Sequence, residues 1–400
     1  MTAGTRKPAA NAVLKVPLSK AELAATKQTV CVTGAAGYIA AHILQRLLAA
    51  GHTVHAAVRS ASKLGPLVRL PGAAERLRVF QGCDLTVPGS FDRAIQDCVC
   101  VIHTASPFAL NVKKHLVKKH LLEPAVEGTR NVLASVAKTP SVRRVVLTSS
   151  IVALFSWPEP GVVYDESCWN KQASEDEYAY ELSKTLAEKA AWDIVGEQER
   201  WDLVTINPAL VFGPPLLEDH SDAQSVHVMR RMLRGDMAPG YPDYNLKMVD
   251  VRDVARAHCL AMVTPSASGR YLLAPHDFTF GRVRQVIARG PLGRSWNVWL
   301  RLPSKPLWCW LLWLLADLIN IERYRLESTY GVPLRTNGTK VERELGLRDW
   351  IADADTYEEM AETMVALGMV NWLRPNVGPN AIVPFPPTKP PPERLFMPLW

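Results

Sequence analysis

The chain has 400 residues, 48% hydrophobic and 21% charged, with a formal net charge of +7 and a pI of about 9.0. That length supports a large core, and the composition excludes a disordered or fibrous protein. The positive balance suits steering of an anionic small ligand. It does not point to nucleic acid, because no basic helix and no aromatic–basic interleaving stands out; the run KKHLVKKH at 113–120 reads as a solvated helix face.

Residues 1–28 read as a flexible tail, polar and rich in Ala and Lys, without the apolar core of a signal peptide. No acidic residue precedes Glu22, which keeps a transit peptide as a lesser alternative. The first strand is Thr29–Thr33, a continuous apolar run with β-branched residues, as expected for a strand buried on both faces. Gly34 and Gly37 follow, then an amphipathic helix over 38–50 that opens with Tyr38 and Ile39 and stops at Gly51. Thr53–Val58 is the next strand. A glycine turn between a strand and a helix lets backbone approach a phosphate without a Cβ in the way, and the helix N-terminus offers its unpaired N–H groups. The unit therefore predicts a dinucleotide site.

Cofactor type is read at the end of the second strand. An acidic residue there holds the ribose 2′-hydroxyl of NAD. This chain has Arg59, with Ser60 and Lys63 following. A guanidinium pairs with a 2′-phosphate, so NADP(H) is favoured. Further strands are expected at Leu77–Gln81, 99–104 and Arg144–Thr148, with an amphipathic helix around 127–136. Asp84 and Leu85 follow the first of these, where the carboxylate could accept from an adenine amino group or simply shape a turn. Thr104, Ala105 and Ser106 follow the second, small enough for close cofactor approach, with Pro107 and Phe108 beyond. The alternation argues for a parallel sheet with helices on both faces and right-handed crossovers.

The third of these strands runs into Ser149 and Ser150. Tyr180 and Lys184 lie farther on, four positions apart in a helical stretch, so phenol and ammonium share one face; Tyr178 has Leu182 at the matching place. An ammonium beside a tyrosine lowers the phenol pKa and fits it for proton transfer to a carbonyl oxygen, while a serine holds that oxygen. Ser150, Tyr180 and Lys184 therefore read as a carbonyl-reduction site.

TGAAGYIA (33–40), VRRVVLTSS (142–150), YDESCW (164–169), YELSKTLAEKAAW (180–192), TINPALVFGP (205–214) and VDVRDVARAH (249–258) together resemble the extended short-chain dehydrogenase/reductases, in particular the dihydroflavonol reductase-like branch. The resemblance covers roughly 28–350 and implies an α/β fold with a Rossmann-type doubly wound sheet and a smaller C-terminal substrate lobe. It implies Ser150 as catalytic serine, Tyr180 as general acid/base, and Lys184 as its partner, which also binds the nicotinamide ribose. Pro208, Leu210 and Val211 would flank the nicotinamide. Three departures stand out. Ala40 replaces the third glycine of TGxxGxxG. Ala125 stands where many relatives carry a catalytic asparagine. The NWYCY-type signature of cinnamoyl-CoA reductases is missing before Tyr180, which disfavours a CoA thioester; the segment 170–179 is also shorter than in plant dihydroflavonol reductases.

The expected organisation is a tail at 1–28, an NADP-binding domain at 29–207, a substrate lobe at 208–350 that returns to the sheet near 249–275, a terminal helix at 351–374 and a Pro-rich tail at 375–400. The lobe should carry a helix near 223–233. Asp250 and Asp253 read as turn and cap residues, and His258 as a structural histidine. The stretch 307–316, LWCWLLWLLA, is too short to span a membrane. The expectation is a buried helix or a subunit contact; with Arg301 and Lys305 before it, an interfacial segment giving peripheral membrane contact is the alternative. Nine prolines fall between Pro375 and Pro398, giving a loose extended tail.

Cys31, Cys83, Cys98, Cys100, Cys168, Cys259 and Cys309 are scattered and odd in number, so neither disulfides nor a zinc site is suggested and a reducing, cytoplasmic location is expected. The expected partner is a small hydrophobic carbonyl or alcohol, and the protein a monomer or homodimer. The competing readings are a 3β-hydroxysteroid dehydrogenase-like enzyme at a membrane surface, a non-catalytic NADP sensor or scaffold, and a sugar-nucleotide epimerase. The intact Ser150, Tyr180 and Lys184 argue against a sensor, and the lack of a clear second pyrophosphate site against the epimerase.

Overall fold

The computed structural model describes residues 16–106, 114–238, 240–294, 296–319 and 323–370. Pro107 and Phe108 and the Pro-rich tail lie outside the described residues.

Seven strands form one sheet: β1 (Thr29–Thr33), β2 (Thr53–Val58), β3 (Leu77–Gln81), β4 (Cys100–His103), β5 (Arg144–Thr148), β6 (Asp202–Pro208) and β7 (Gly269–Leu273). Their order across the sheet is β7-β6-β5-β4-β1-β2-β3, and every pairing is parallel. The order reverses at β1, where neighbouring crossovers leave to opposite sides. A crevice therefore opens at the carboxyl ends of β1 and β4.

The apolar runs follow from burial on both faces. In β1, Val30 and Val32 enter one core cluster and Cys31 enters another. Helices α1 (Tyr38–Ala49) and α5 (Val251–Val263) pack together on the first side. Helices α2 (Glu123–Lys138) and α3 (Ala179–Gly196) pack together on the second. Gly51, at φ +88, ends α1 in the left-handed conformation that glycine adopts without strain.

Beyond β6 the chain forms a second core around a three-stranded sheet. Leu210–Phe212 runs parallel to Leu246–Asp250, which pairs antiparallel with His276–Phe278. Phe212 and Phe278 stack at 5.1 Å, and Tyr357 of the helix Asp353–Ala366 meets Phe212 edge-on. Helix α4 (Gln224–Arg234) covers this core. Asp250 caps α5 by accepting from the Arg252 N–H at 2.8 Å, and Asp253 binds Arg256 and the Ile351 N–H, so both are structural as expected. His258 is buried between Thr148 Oγ1 at 2.7 Å and the Val254 carbonyl at 2.8 Å.

Two expectations fail. Residues 16–28 are not a loose tail. A capping box at Ser19 and Glu22 starts a short helix, Lys20–Ala24, and buried Glu22 binds Arg46 of α1 at 2.8 Å. The Ser19–Glu22 spacing was the local sign of the helix, but the ion pair was not legible, because its partner lies 24 residues away. The stretch 307–316 is not buried within the chain, one of the two forms expected of it. Helix α6 (Cys309–Ile319) buries Leu312 and Ala316 against Leu326 of α7 (Arg323–Thr329), but Trp308, Trp310, Trp313 and Leu314 face solvent.

Candidate functional site

The glycine turn is built by steric necessity. Gly34 holds φ +62, and a Cβ there would stand 2.9 Å from the Cα of Ala105. Only glycine meets both demands. The Gly37 N–H closes the turn on the Gly34 carbonyl at 2.8 Å. Helix α1 then begins, and the first-turn N–H groups of Tyr38, Ile39 and Ala40 have no intrahelical acceptor. With their partial positive charge they fit a pyrophosphate.

The turn is stitched to β4 on one side. Thr33 Oγ1 lies 2.7 Å from His103 Nδ1 and accepts from the Ala105 N–H at 3.2 Å. Thr104 donates to the Thr33 carbonyl at 2.5 Å. On the other side residues 213–220 fold against it. Tyr38 and Ile39 open the helix of the expected dinucleotide site; Tyr38 donates to the Gly213 carbonyl at 2.6 Å, so its side chain is engaged within the protein and its backbone remains for a ligand. His220 Nδ1 accepts from the Leu216 N–H, which leaves Nε2 to donate to the Ala36 carbonyl at 3.3 Å.

Arg59 is exposed at the end of β2, and its charge helps to hold Asp84 below the usual carboxylate range, after the backbone and hydroxyl hydrogen bonds from Thr86. Asp84 Oδ1 accepts both of those bonds, at 2.8 and 2.7 Å, so Asp84 shapes a turn. Leu85 packs its Cβ close to Gly128, and its carbonyl accepts from Asn131 at 2.7 Å. Lys63 does not stand free beside Arg59: it pairs with Asp219 at 3.0 Å, an exposed bridge of little strength.

Helix α3 brings Tyr180 and Lys184 to the crevice. Lys184 Nζ donates to Ser106 Oγ at 2.8 Å and lies 5.6 Å from the Tyr180 ring centroid. Burial lowers the Lys184 pKa to about 8. The expected lowering of the tyrosine is not what the protein alone shows: burial, helped by the neighbouring Glu181 carboxylate, holds Tyr180 well above its ordinary value. The phenol is thus a proton donor at neutral pH.

The two serines after β5 separate clearly. Ser149 is buried, with its hydroxyl on Glu188. Ser150 is half-buried and caps the short helix Ile151–Ala153, which packs on α3. Glu188 continues the stripe of Tyr180 and Lys184 and also accepts from Arg270 at 2.7 Å, Asn207 at 2.8 Å and Thr205 at 3.2 Å. Asn207 donates in turn to the Ser150 carbonyl at 3.1 Å. Pro208 ends β6 in buried surroundings, while Leu210 and Val211 are half-buried on the next strand. Ala125, in the place of the missing asparagine, is buried on α2 just after a π-helical turn at Lys118–Leu122. Among the described residues no cluster of three acidic, His or Cys side chains could hold a metal.

Sequence reasoning did not find Glu188, Asn207, His220 or the His103–Thr33 pair. Their partners lie far away in the chain, so no spacing announces them.

A parallel sheet reversing at a glycine turn, with a Tyr–Lys helix face docked beside that turn, defines an NAD(P)-dependent oxidoreductase of the short-chain type. The chain belongs to the NAD dependent epimerase/dehydratase family, whose model matches residues 30–274. Within it the chain is a reductase of the extended, dihydroflavonol reductase-like kind. It is similar to cinnamoyl-CoA reductase CAD2 of Medicago truncatula, 44% identical over 285 residues, 69% of this chain and 83% of that one. It is 40% identical to tetraketide alpha-pyrone reductase 1 of Arabidopsis thaliana over 62% of this chain and 76% of the other. The structure of Gre2 with NADPH from Candida albicans superposes with a TM-score of 0.70 at 29% identity, covering 84% of this chain and 98% of that one. Vestitone reductase from alfalfa gives a TM-score of 0.61 at 25% identity, over the same 84% and 98%.

Proposed function

We propose that the protein reduces a ketone or aldehyde to an alcohol, reversibly, with NADPH, at a site made of Ser150, Tyr180 and Lys184. The observation that carries this reading is the Lys184–Ser106 hydrogen bond, which ties the Tyr–Lys helix to the strand end touching the glycine turn. The N–H groups at the start of α1 would hold the pyrophosphate. Arg59, with Lys63 once released from Asp219, would hold the 2′-phosphate; Asp84 and Leu85 would border the adenine. Thr104, Ala105, Ser106, Pro208, Leu210 and Val211 would line the path toward Tyr180 and Lys184. The bound NADPH supplies the hydride. Tyr180, kept protonated by burial, gives its proton to the carbonyl oxygen. Ser150 donates a hydrogen bond to the same oxygen and fixes its direction. The Lys184 ammonium stabilises the phenolate that the proton leaves behind.

The substrate in this reading is a small hydrophobic carbonyl compound, dihydroflavonol- or ketone-like by resemblance, and the missing NWYCY signature before Tyr180 disfavours a CoA thioester. A sterol is the second reading, favoured by the apolar lobe segment 307–316. Residues 208–350, apart from the return to the main sheet near 249–275, would form the substrate lobe, and the seven free thiols fit a reducing, cytoplasmic setting. The test is NADPH oxidation across dihydroflavonols, aliphatic ketones, aromatic aldehydes, sterones and a cinnamoyl-CoA thioester, with Tyr180→Phe beside the native chain. Tyr180→Phe should abolish turnover and leave NADPH binding intact; full activity in that variant would sink the mechanism.

A further inference from the structure

None of Ser150, Tyr180 and Lys184 lies on helix α6, and its surface is unlike the rest of the protein. Its sequence, CWLLWLLADLI, is apolar apart from Asp317. Leu312 and Ala316 point inward onto Leu326. Trp308, Trp310, Trp313 and Leu314 are 66, 61, 44 and 64% exposed. With Leu300, 51% exposed, they make up five of the ten large apolar side chains exposed among the described residues, all within 300–314. A helix this apolar is normally covered, and a contiguous exposed patch marks a contact surface.

The chemistry of the patch names the partner. Tryptophan prefers the boundary of a bilayer, where the ring meets hydrocarbon and the N–H meets water. The Trp308 and Trp310 rings stack with centroids 6.0 Å apart and planes at 18°. Trp313 is held from the side: its Nε1 donates to Glu327 at 2.8 Å, and the Arg323 guanidinium lies 4.8 Å over its ring. Cations border the rings. Lys305 is exposed three residues before Trp308, and the Lys305 carbonyl and Leu307 N–H are both bonded to Tyr241. Arg301 donates to the Arg234 carbonyl at 3.2 Å, which sets it beside α4, where Arg231 and Arg234 are exposed. Two exposed carboxylates stand among them, Asp236 beside α4 and the Glu327 that holds Trp313. Outward tryptophans bordered by cations fit a surface that is apolar in depth and anionic at its face. A second copy of the chain would set the same cations against each other. No described helix is long and apolar enough to cross a membrane.

We propose that the outward face of 300–314, with Arg231, Arg234 and Lys305 at its border, docks on an anionic lipid bilayer and seats the protein on the membrane without spanning it. The seat is coupled to the site. Helix α7, against which α6 packs, reaches α3 through Arg325, which binds Glu181 at 2.7 Å, one residue after Tyr180.

The full chain is sedimented with vesicles of phosphatidylcholine alone and with added phosphatidylserine, and its tryptophan fluorescence is followed with acyl-chain-brominated lipid. It should sediment with the anionic vesicles and be quenched by the brominated ones. Trp308→Ser, Trp310→Ser and Leu314→Gln together should lower the partition coefficient roughly tenfold or more while leaving the melting curve unchanged, since all three side chains are exposed. Replacing Arg231, Arg234 and Lys305 by Gln should cost about fivefold per charge on anionic vesicles and nothing on neutral ones. The proposal is overturned by absence of sedimentation with either vesicle, or by binding that survives the triple substitution. It is also overturned by a concentration-dependent dimer that the triple substitution abolishes, which would assign the face to a second copy.

Discussion

Arg325 donates to both carboxylate oxygens of Glu181, at 2.7 and 3.2 Å, and Glu181 is the residue after Tyr180. The pair joins α7 of the lobe to the first turn of α3. Tyr178, just before that turn, takes φ +62 and is buried between Trp157 and Tyr324, with its hydroxyl on Ser328. The lobe thus holds the start of the helix that carries the phenol. Arg325→Met leaves the buried Glu181 carboxylate without this partner and should cost up to about 3 kcal/mol in denaturant unfolding, with kcat falling and NADPH affinity unchanged. Glu181→Gln in the same chain should recover much of the loss; a coupling energy below roughly 0.5 kcal/mol would show that the two residues act separately.

The pKa of Lys184 gives the pH dependence its direction. Burial lowers it to about 8, so the ammonium is fully present below that pH and lost above it. Carbonyl reduction should therefore decline as pH rises through about 8 in kcat/KM. Tyr180 is held far higher and does not set this limb. Lys184→Arg keeps the charge at every accessible pH and should remove the decline, at reduced rate. A limb that stays in place in Lys184→Arg belongs to another group.

The first five strands of the main sheet and the helix with Tyr180 were legible because their signals are local, whereas β6 and β7 were not read as strands. A β-branched apolar run such as 29–33 means a strand covered on both sides, and an i, i+4 pair such as Tyr180 and Lys184 means one helix face. What surrounds them was not legible. Lys184 finds Ser106 78 residues away, and Arg325 finds Glu181 144 residues away. The left-handed Tyr178 is neither Gly nor Asn, so nothing in its type announces that backbone. Helix α6 defeats pattern reading for another reason: with Asp317 as its one polar residue, periodicity cannot say which face is covered. The position of Arg59 after β2 was legible, but the Asp219 that occupies Lys63 comes from the short helix Glu218–Asp222, 156 residues on.

Arg59 carries the predicted choice of cofactor. Arg59→Glu removes the cation from the end of β2 and puts a like charge against a 2′-phosphate. NADPH affinity should fall by about tenfold to a hundredfold, read by fluorescence titration, with NADH affinity nearly unchanged. Equal losses for the two would take the 2′-phosphate away from this residue. Asp219→Asn frees Lys63 from its carboxylate and should strengthen NADPH binding slightly.

Acid stability should be set by four buried histidines. Burial lowers His42 and His258 to about 4, and His103 and His220 to about 3. Each is neutral in the fold and takes up a proton on unfolding below about 6.5. Their contribution is complete above that pH and is lost as pH falls toward the folded values. Each histidine adds a slope of up to about 1.4 kcal/mol per pH unit in between. The melting temperature should drop steeply from pH 6.5 downward, and His258→Gln should flatten the curve. A drop that starts only below about pH 4 would instead indicate carboxylates.

The glycine turn offers two substitutions with different outcomes. At Gly34 a side chain meets a left-handed φ of +62 and a backbone atom of Ala105 at 2.9 Å. Gly34→Ala should cost at least about 1–2 kcal/mol from the dihedral alone and more from the contact, so both stability and dinucleotide affinity fall. Gly37 has an ordinary φ of −75, and a Cβ there meets the Gly34 carbonyl at 3.1 Å, a contact that a small shift relieves. If the pyrophosphate lies on the N-terminus of α1, Gly37→Ala should leave the melting temperature nearly intact while NADPH affinity falls. Isothermal titration beside a thermal melt separates the two: a Gly37→Ala chain that binds NADPH normally would move the phosphates off this turn.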